Sequence, residues 1–184
     1  MIHISDVNVY GGASTYAFVQ MVRPSFGARI KVRDGEWYVD SGIRSTLPNK
    51  DPNGGSATTF SIYLGRILYA SHHFKFSAFA GYQRLWYGGL YNNGLGGGFS
   101  GTLYYGKFYA NAKIAALYGL SGTIGYHLKH PGNDYSIIGS LGVQVNKNLD
   151  AYIYLTQQRY VNAGPYGSNA LTYTGAGLGL KYKF

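Results

Sequence analysis

The sequence predicts an all-β chain that closes into an antiparallel up-and-down barrel and crosses a membrane with its strands. Three observations lead to this fold class. Only 12% of the residues are charged, against the roughly 25% usual in soluble domains, yet the mean hydropathy is only −0.13. The chain contains 28 glycines and 20 tyrosines, a composition that disfavours helices and suits strands. Stretches in which apolar and polar residues alternate recur along its whole length.

Helical membrane spans are a poor explanation of the low charge. A membrane helix needs about 20 predominantly apolar residues, whereas charge-free windows such as 85–106 are rich in Gly, Asn, Ser and Tyr. A closed barrel needs strands of only about 9 to 11 residues with one apolar face. We therefore expect residues 1–184 to form a single transmembrane β-barrel domain, since no change in composition divides the chain.

The first strands are predicted from a hairpin centred on Asp34-Gly35. This dipeptide suits the two positive-φ positions of a type I′ turn, and both flanks alternate. We pair Arg33 with Glu36, which places Arg29 opposite Asp40 and leaves an apolar stripe on the other face. The charged face forms a ladder, which we expect to line the lumen and which consists of Arg29, Lys31, Arg33, Glu36, Asp40 and Arg44.

Later strands follow from four apolar stripes. These stripes lie within residues 60–64, 74–82, 108–118 and 135–145. The face opposite the last stripe is small and mostly polar, as in a barrel that is apolar outside and polar inside. Turning the apolar faces outward places further basic residues in the lumen, namely Lys75, Lys107, Lys113, Lys181 and Lys183. The lumen is therefore predicted to be basic, either as a site for anions or as a filled interior whose charges neutralise each other.

The connections predict the strand count. Four short ones, at 34–35, 71–73, 105–107 and 146–148, alternate with longer ones at 47–56, 86–97, 130–134 and 162–169. Membrane barrels of bacteria have short periplasmic turns and longer external loops. The alternation predicts ten strands if 107–128 is one long strand. Eight is the alternative if the segment before Asp34 lies outside the barrel.

The last strand supplies a family resemblance. Its final residues alternate to the end, with Leu178, Leu180, Tyr182 and Phe184 on one face. This pattern resembles the C-terminal signal strand of small bacterial outer-membrane β-barrels of the OmpA, OmpX and opacity-protein class. The resemblance implies that these four residues are an assembly signal read by the barrel-assembly machinery. It also implies location in a bacterial outer membrane, and we interpret residues 1–12, which have no basic and apolar leader pattern, as a mature start whose signal peptide is absent.

No enzyme motif stands out, so we expect no catalytic residues. Omptin-type proteases are ten-stranded and use acidic and histidine residues near the outer rim, but this chain has only seven acidic residues. Barrel lipid A deacylases carry a His-x-Ser pair near the C-terminus, whereas the pair here is His3 and Ser5. His127 and His130, like His72 and His73, are interpreted as solvated turn residues. With no cysteine, we expect neither thiolate metal sites nor disulfides, and no cofactor.

Two functions are compatible with this barrel. The first is a non-conducting surface or structural barrel whose external loops bind a protein or glycan, and the second is a narrow channel for small anionic solutes. A soluble calycin-like barrel is a remoter alternative. We expect outer-membrane lipids, lipopolysaccharide included, as partners, and no nucleic acid, because the positive residues are spread singly. Lipopolysaccharide phosphates would meet basic residues near the outer strand ends, namely Arg44, Lys50, Arg84, Lys129 and Arg159.

Overall fold

The computed structural model describes residues 2–16, 19–48, 56–87, 90–122, 131–164 and 167–184. These residues form ten strands in one closed barrel, in which each strand pairs antiparallel with its neighbours in sequence and the first pairs with the last. The strands are β1 (His3–Tyr16), β2 (Val19–Asp34), β3 (Trp37–Thr46), β4 (Ala57–Ala70), β5 (Phe74–Tyr87), β6 (Leu90–Tyr105), β7 (Phe108–Gly122), β8 (Asn133–Gln144), β9 (Leu149–Gly164) and β10 (Gly167–Lys183). The predicted all-β, ten-stranded barrel is confirmed, and the eight-stranded alternative is wrong because β1 and β2 belong to the sheet. Among the described residues there is no helix of the length and hydrophobicity needed for a membrane span.

The two ends of the barrel differ. One end, which we call the turn end, contains the tight turns after β2 and β6 and the connections after β4 and β8. The first residues of β1 and the last residues of β10 lie at the same end. We call the opposite end the loop end. The long loops predicted there at 86–97 and 162–169 are wrong. β5 ends at Tyr87 and β6 begins at Leu90, while β9 ends at Gly164 and β10 begins at Gly167. Their Gly- and Asn-rich segments pair as strands because hairpins beyond an apolar band need paired backbone groups but no apolar face. Residues 49–55, which contain most of the predicted connection 47–56, and residues 123–130 lie outside the described residues. The predicted connection 130–134 is too long, because Asn133 and Asp134 already belong to β8.

The predicted register of the β2–β3 hairpin is shifted by two residues. The central turn residues are Gly35 and Glu36, and Asp34 pairs with Trp37. In this turn only Gly35 has a positive φ, of 60°, and within the described chain no non-glycine residue does. This is the pattern of a type II′ turn, which spares Asp34 the left-handed backbone of a type I′ turn. A shift of two residues leaves every side chain on its predicted face.

The outer face of the barrel is apolar. Leu64 is 54%, Ile114 51% and Leu178 67% exposed, although each lies within a strand and away from its ends. The outward stripe of β5 begins and ends with aromatic residues, Phe74 and Trp86, and that of β7 begins with Phe108 and carries Tyr118 near its other end. Aromatic residues at both ends of an apolar band are typical of strands that cross a membrane.

Four tyrosines pack against glycines on the inner wall. At each glycine an added Cβ would fall within the ring of a tyrosine on the neighbouring strand. The pairs are Tyr10 with Gly27, Tyr38 with Gly65, Tyr109 with Gly142, and Tyr152 with Gly179. Each ring therefore covers the wall at a position where only glycine leaves room for it, instead of projecting across the lumen.

Candidate functional site

The lumen contains a chamber of about 490 Å³ in its turn-end half. Eight basic and two acidic side chains line it, together with hydroxyl, amide and aromatic groups. The basic residues are Arg29, Lys31, Arg33, Arg44, Lys75, Lys113, Lys181 and Lys183, and the acidic ones are Asp6 and Asp40. We call this cavity the chamber. Its lining includes His3, Arg33 and Lys183, which lie at strand ends, so the chamber opens at the turn end.

Part of the positive charge in the chamber is neutralised. The Arg29 guanidinium donates two hydrogen bonds to the Asp40 carboxylate, a bidentate ion pair. The Lys181 and Lys183 ammonium groups lie 2.8 and 2.7 Å from the carboxylate oxygens of Asp150. Even with Asp150 included, basic side chains outnumber acidic ones by five around this cavity.

Three lysines in the chamber have no such partner. Within the described chain, no carboxylate oxygen lies within 4.0 Å of the Lys31, Lys75 or Lys113 ammonium group. The Lys113 Nζ lies instead 4.2 Å from the centre of the Tyr63 ring and 4.4 Å from that of Phe79. Lys31 lies over Tyr38 at 4.8 Å. Cation–π contacts hold these ammonium groups without cancelling their charge.

The loop-end half of the lumen is filled. Every strand contributes one inward side chain that is only 1–4% exposed. These are Ser14, Ser25, Thr46, Ala57, Leu85, Asn92, Leu117, Asp134, Tyr160 and Tyr173. We call them, with Gln83 and Gln158, the plug. Side chains along an open passage would be in contact with water, whereas these described side chains are almost completely shielded from it.

Hydrogen bonds connect the plug across the barrel. The Asp134 carboxylate accepts from the side-chain amides of Gln83 and Gln158, the latter at 2.6 Å. The Gln83 amide also lies 3.2 Å from the Tyr160 hydroxyl oxygen. The Gln83 carbonyl in turn accepts from the Tyr63 hydroxyl at 3.1 Å. Buried amides that donate and accept in this way act as a polar core.

Arg44 joins the plug to the chamber. Its guanidinium donates to the Gln158 carbonyl at 2.6 Å and stacks on the Tyr173 ring, 4.0 Å from the ring centre. Gln158 thus connects the Arg44 cation to the Asp134 carboxylate. Arg44 was also predicted among the lipopolysaccharide contacts at the outer strand ends, and that placement is wrong because its side chain lies inside the barrel.

Most residues of the predicted ladder lie in the chamber. Two of the predicted lumen residues do not, since Glu36 and Lys107 are exposed on the turns after β2 and β6. The expected Arg33–Glu36 pair is wrong as well, because Glu36 accepts from Arg66 at 2.9 Å and Arg33 donates to the Gly35 carbonyl. The Arg29–Asp40 pair forms, although the two residues are diagonal rather than opposite.

The remaining predicted residues lie outside the lumen. Leu178, Leu180, Tyr182 and Phe184 are all exposed, and the last two rings contact each other edge to face at 5.0 Å. His72 and His73 are exposed in the connection after β4. Lys50, His127, Lys129 and His130 lie outside the described residues. Arg159 is exposed, and Arg84 lies on the outer face with its guanidinium 4.7 Å from the Trp86 ring centre and 5.6 Å from that of Tyr91.

Sequence reasoning missed the plug. Asp134 was assigned to a connection, although it has the same parity as Ser136, Ile138 and Ser140, the polar-face residues of β8. The same parity rule would have placed Gln83 and Gln158 inside. The described residues contain no group of three or more His, Cys, Asp or Glu side chains arranged to hold a metal ion.

Comparison with known proteins identifies the fold. No family model matches this sequence, and no curated protein matches it either. The structure is similar to that of the outer membrane protease OmpT from Escherichia coli, with 12% identity, 98% of this chain and 97% of that chain covered, and a TM-score of 0.71. Neisserial surface protein A is similar at 8% identity, with 100% and 97% covered and a TM-score of 0.49. The NanC porin is similar at 12% identity, with 99% and 100% covered and a TM-score of 0.44. The chain thus has the fold of a small outer-membrane β-barrel.

Proposed function

We propose that this chain is an integral protein of a bacterial outer membrane, that its barrel does not conduct, and that its loop end binds a partner outside the cell. The plug carries this proposal. A residue from every strand is buried inside the lumen, and a hydrogen-bonded network joins residues of β4, β5, β8 and β9 there. The apolar outer face supports location in a membrane. The turn end would then face the periplasm, and the fold would serve as a scaffold rather than as an enzyme.

Conductance tests this proposal. The refolded protein should first migrate faster unboiled than boiled on a detergent gel, as a closed membrane barrel does, and should then be silent in planar bilayers. The double variant Tyr160→Ala with Tyr173→Ala removes two large plug side chains and should produce steady currents. Tyr118→Ala with Tyr135→Ala removes the same groups from exposed outward positions and should stay silent. Steady currents from the unmodified protein would contradict the proposal.

A narrow channel for small anionic solutes is the second candidate. The excess of basic side chains in the chamber favours it, because fixed positive charges attract anions and repel cations. It requires the plug to open. Anion-selective currents from the unmodified protein, abolished by adding bulk to the plug at Ala57→Leu, would establish this candidate instead.

Lipopolysaccharide is the partner we propose for the outer face. Arg84 lies beside Trp86 and Tyr91, so a guanidinium and an aromatic group stand together where a lipid phosphate would meet them. Arg84→Gln with Arg159→Gln should reduce the rise in melting temperature on adding lipopolysaccharide. Lys107→Gln with Lys147→Gln removes two charges at the turn end and should leave that rise unchanged. An equal rise in all three proteins would exclude the site. The protein or glycan that we expect at the loop end, and recognition of the last strand by the barrel-assembly machinery, belong to the same proposal.

A further inference from the structure

We infer that the chamber is a blind-ended binding site for a small multivalent oxyanion, which enters from the turn end. This goes beyond a surface role, because it assigns a ligand to the interior of the barrel. The inference rests on the proposed closure of the lumen only for the statement that the site has a blind end. Binding of the anion requires only the chamber.

The first argument is the charge that remains after the ion pairs are formed. Asp40 and Asp150 are already held by Arg29, Lys181 and Lys183. Asp6 accepts from the Ser5 hydroxyl at 2.9 Å and from the Asn8 amide at 2.7 Å. The lysines at 31, 75 and 113 have no carboxylate within 4.0 Å among the described residues, so their ammonium groups can pair with anions from solution.

The second argument is the shape of the chamber. Its volume of about 490 Å³ lies within the range of about 300 to 1,000 Å³ that is usual for small-ligand sites. Tyr38 and Tyr109 pack against wall glycines and so leave the centre free. A charged cleft with low-dielectric walls concentrates counter-ions far more than an open surface does.

The third argument is the arrangement of donors. Lys31 and Lys75 lie on β2 and β5, three strands apart around the wall, and Lys113 lies on β7. The hydroxyl groups of Ser100 and Thr102 lie on β6 between Lys75 and Lys113, where they accept from the Asn111 amide and can donate to a ligand. Donors on several sides of one cavity suit a ligand with oxyanion groups on several sides, such as a short polyphosphate or a phosphate ester. A single chloride ion would satisfy only one side.

Calorimetric titration with inorganic tripolyphosphate tests this inference. The refolded protein in zwitterionic micelles without lipopolysaccharide should bind one tripolyphosphate per barrel at 20 mM salt. Tripolyphosphate should bind more weakly at 150 mM salt. Orthophosphate should bind more weakly than tripolyphosphate at both salt concentrations. Lys31→Gln with Lys75→Gln should weaken binding by about tenfold or more, since charge-assisted hydrogen bonds to the ligand are lost. Lys107→Gln with Lys147→Gln removes the same charge at exposed positions of the same end and should change affinity by less than about twofold.

Two results would overturn the inference. One is the absence of saturable one-to-one binding, and the other is an equal loss in the Lys107 and Lys147 control. The gel shift checks the folding of each variant. If the double variant does not refold, Lys75→Gln alone replaces it in the titration and should weaken binding about threefold. Currents from the unmodified protein would refute the non-conducting role, whereas the titration decides the anion site independently.

Discussion

The two halves of the lumen are built from the same ten strands and differ in how their polar groups are satisfied. In the plug, Asp134 and Arg44 are connected through the amide of Gln158, and the amide of Gln83 donates to the same carboxylate oxygen of Asp134. In the chamber, basic side chains outnumber acidic ones, and three lysines lack carboxylate partners among the described residues. An interior in which opposite charges are connected to each other is a structural core, whereas an interior with an excess of positive charge is available to an anionic ligand.

The positions of the large tyrosine side chains also distinguish the two halves of the lumen. Tyr160 and Tyr173 project into the lumen at the loop end and are almost fully buried. Tyr38, Tyr109 and Tyr152 in the chamber cover glycines of the adjacent wall. The inward tyrosines therefore serve two purposes: they fill one half of the lumen and line the other.

Loss of the Asp134 carboxylate should have the largest effect on stability. Asp134→Ala leaves the buried amides of Gln83 and Gln158 without their shared acceptor, and we expect a loss of about 3 kcal/mol in the free energy of unfolding. Urea unfolding in phospholipid vesicles, followed by tryptophan fluorescence, measures it. Asp134→Asn keeps one acceptor oxygen and should lose about half as much. If Asp134→Ala were as stable as the unmodified protein, the plug network would not act as a structural core.

Substitution of a glycine covered by tyrosine should come next. Gly65→Ala places a methyl group where the Tyr38 ring lies, and we expect a loss of about 2 kcal/mol from the forced repacking. At Gly139 no atom lies within 4 Å of the position that a Cβ would occupy, so Gly139→Ala should stay within about 0.5 kcal/mol of the unmodified protein. The same urea titration compares them, and equal effects would mean that the tyrosine does not depend on glycine.

The chamber ion pair should contribute less than the plug network. The Asp40 side chain is only 4% exposed, but Lys31 lies directly opposite it in the β2–β3 register. Because this lysine can pair with the carboxylate that Arg29→Gln leaves, we expect a loss of about 1 kcal/mol. Lys181→Gln leaves Asp150 with Lys183 and should have a smaller effect. A loss from Arg29→Gln as large as that from Asp134→Ala would erase the contrast between the two halves.

The exposed ion pair of Glu36 and Arg66 should have the smallest effect on the free energy of unfolding. Both side chains are more than half exposed, and such pairs contribute about 0.5 kcal/mol or less. A double-mutant cycle of Glu36→Gln and Arg66→Gln should give a coupling energy that vanishes at about 1 M salt, where screening is strong. A coupling that survives high salt would contradict this expectation.

The alternation of short and long connections predicted the strand count, and periodicity in the sequence predicted the inward or outward direction of most side chains. Trp37, Val39 and Ile43 all face outward as expected. Parity changes only at bulges such as that between Ile67 and Tyr69 on β4, so local alternation carries this information reliably. The extent of the hairpins was not predictable, because Gly- and Asn-rich strands beyond an apolar band have the composition of loops.

Contacts across the lumen could not be predicted for a different reason. Asp134 and Gln158 are diagonal neighbours on the paired strands β8 and β9, whereas Gln83 reaches Asp134 from β5 across the lumen. That contact depends on how the closed sheet is staggered. No local pattern encodes that stagger. The Arg29–Asp40 pair was predictable because both residues belong to one hairpin, whereas the position of Arg44 between chamber and plug required the whole barrel.

The four tyrosine–glycine contacts also bear on how the chain selects its pairing while it folds. Each contact joins consecutive strands, β1 to β2, β3 to β4, β7 to β8 and β9 to β10. Sliding β4 by two residues would bring Tyr63 or Ile67 under the Tyr38 ring in place of Gly65, and neither leaves room for it. Four of the five hairpins joined at the loop end thus contain a tyrosine–glycine contact that forms only in the native register. A misaligned hairpin would be rejected before the first and last strands meet.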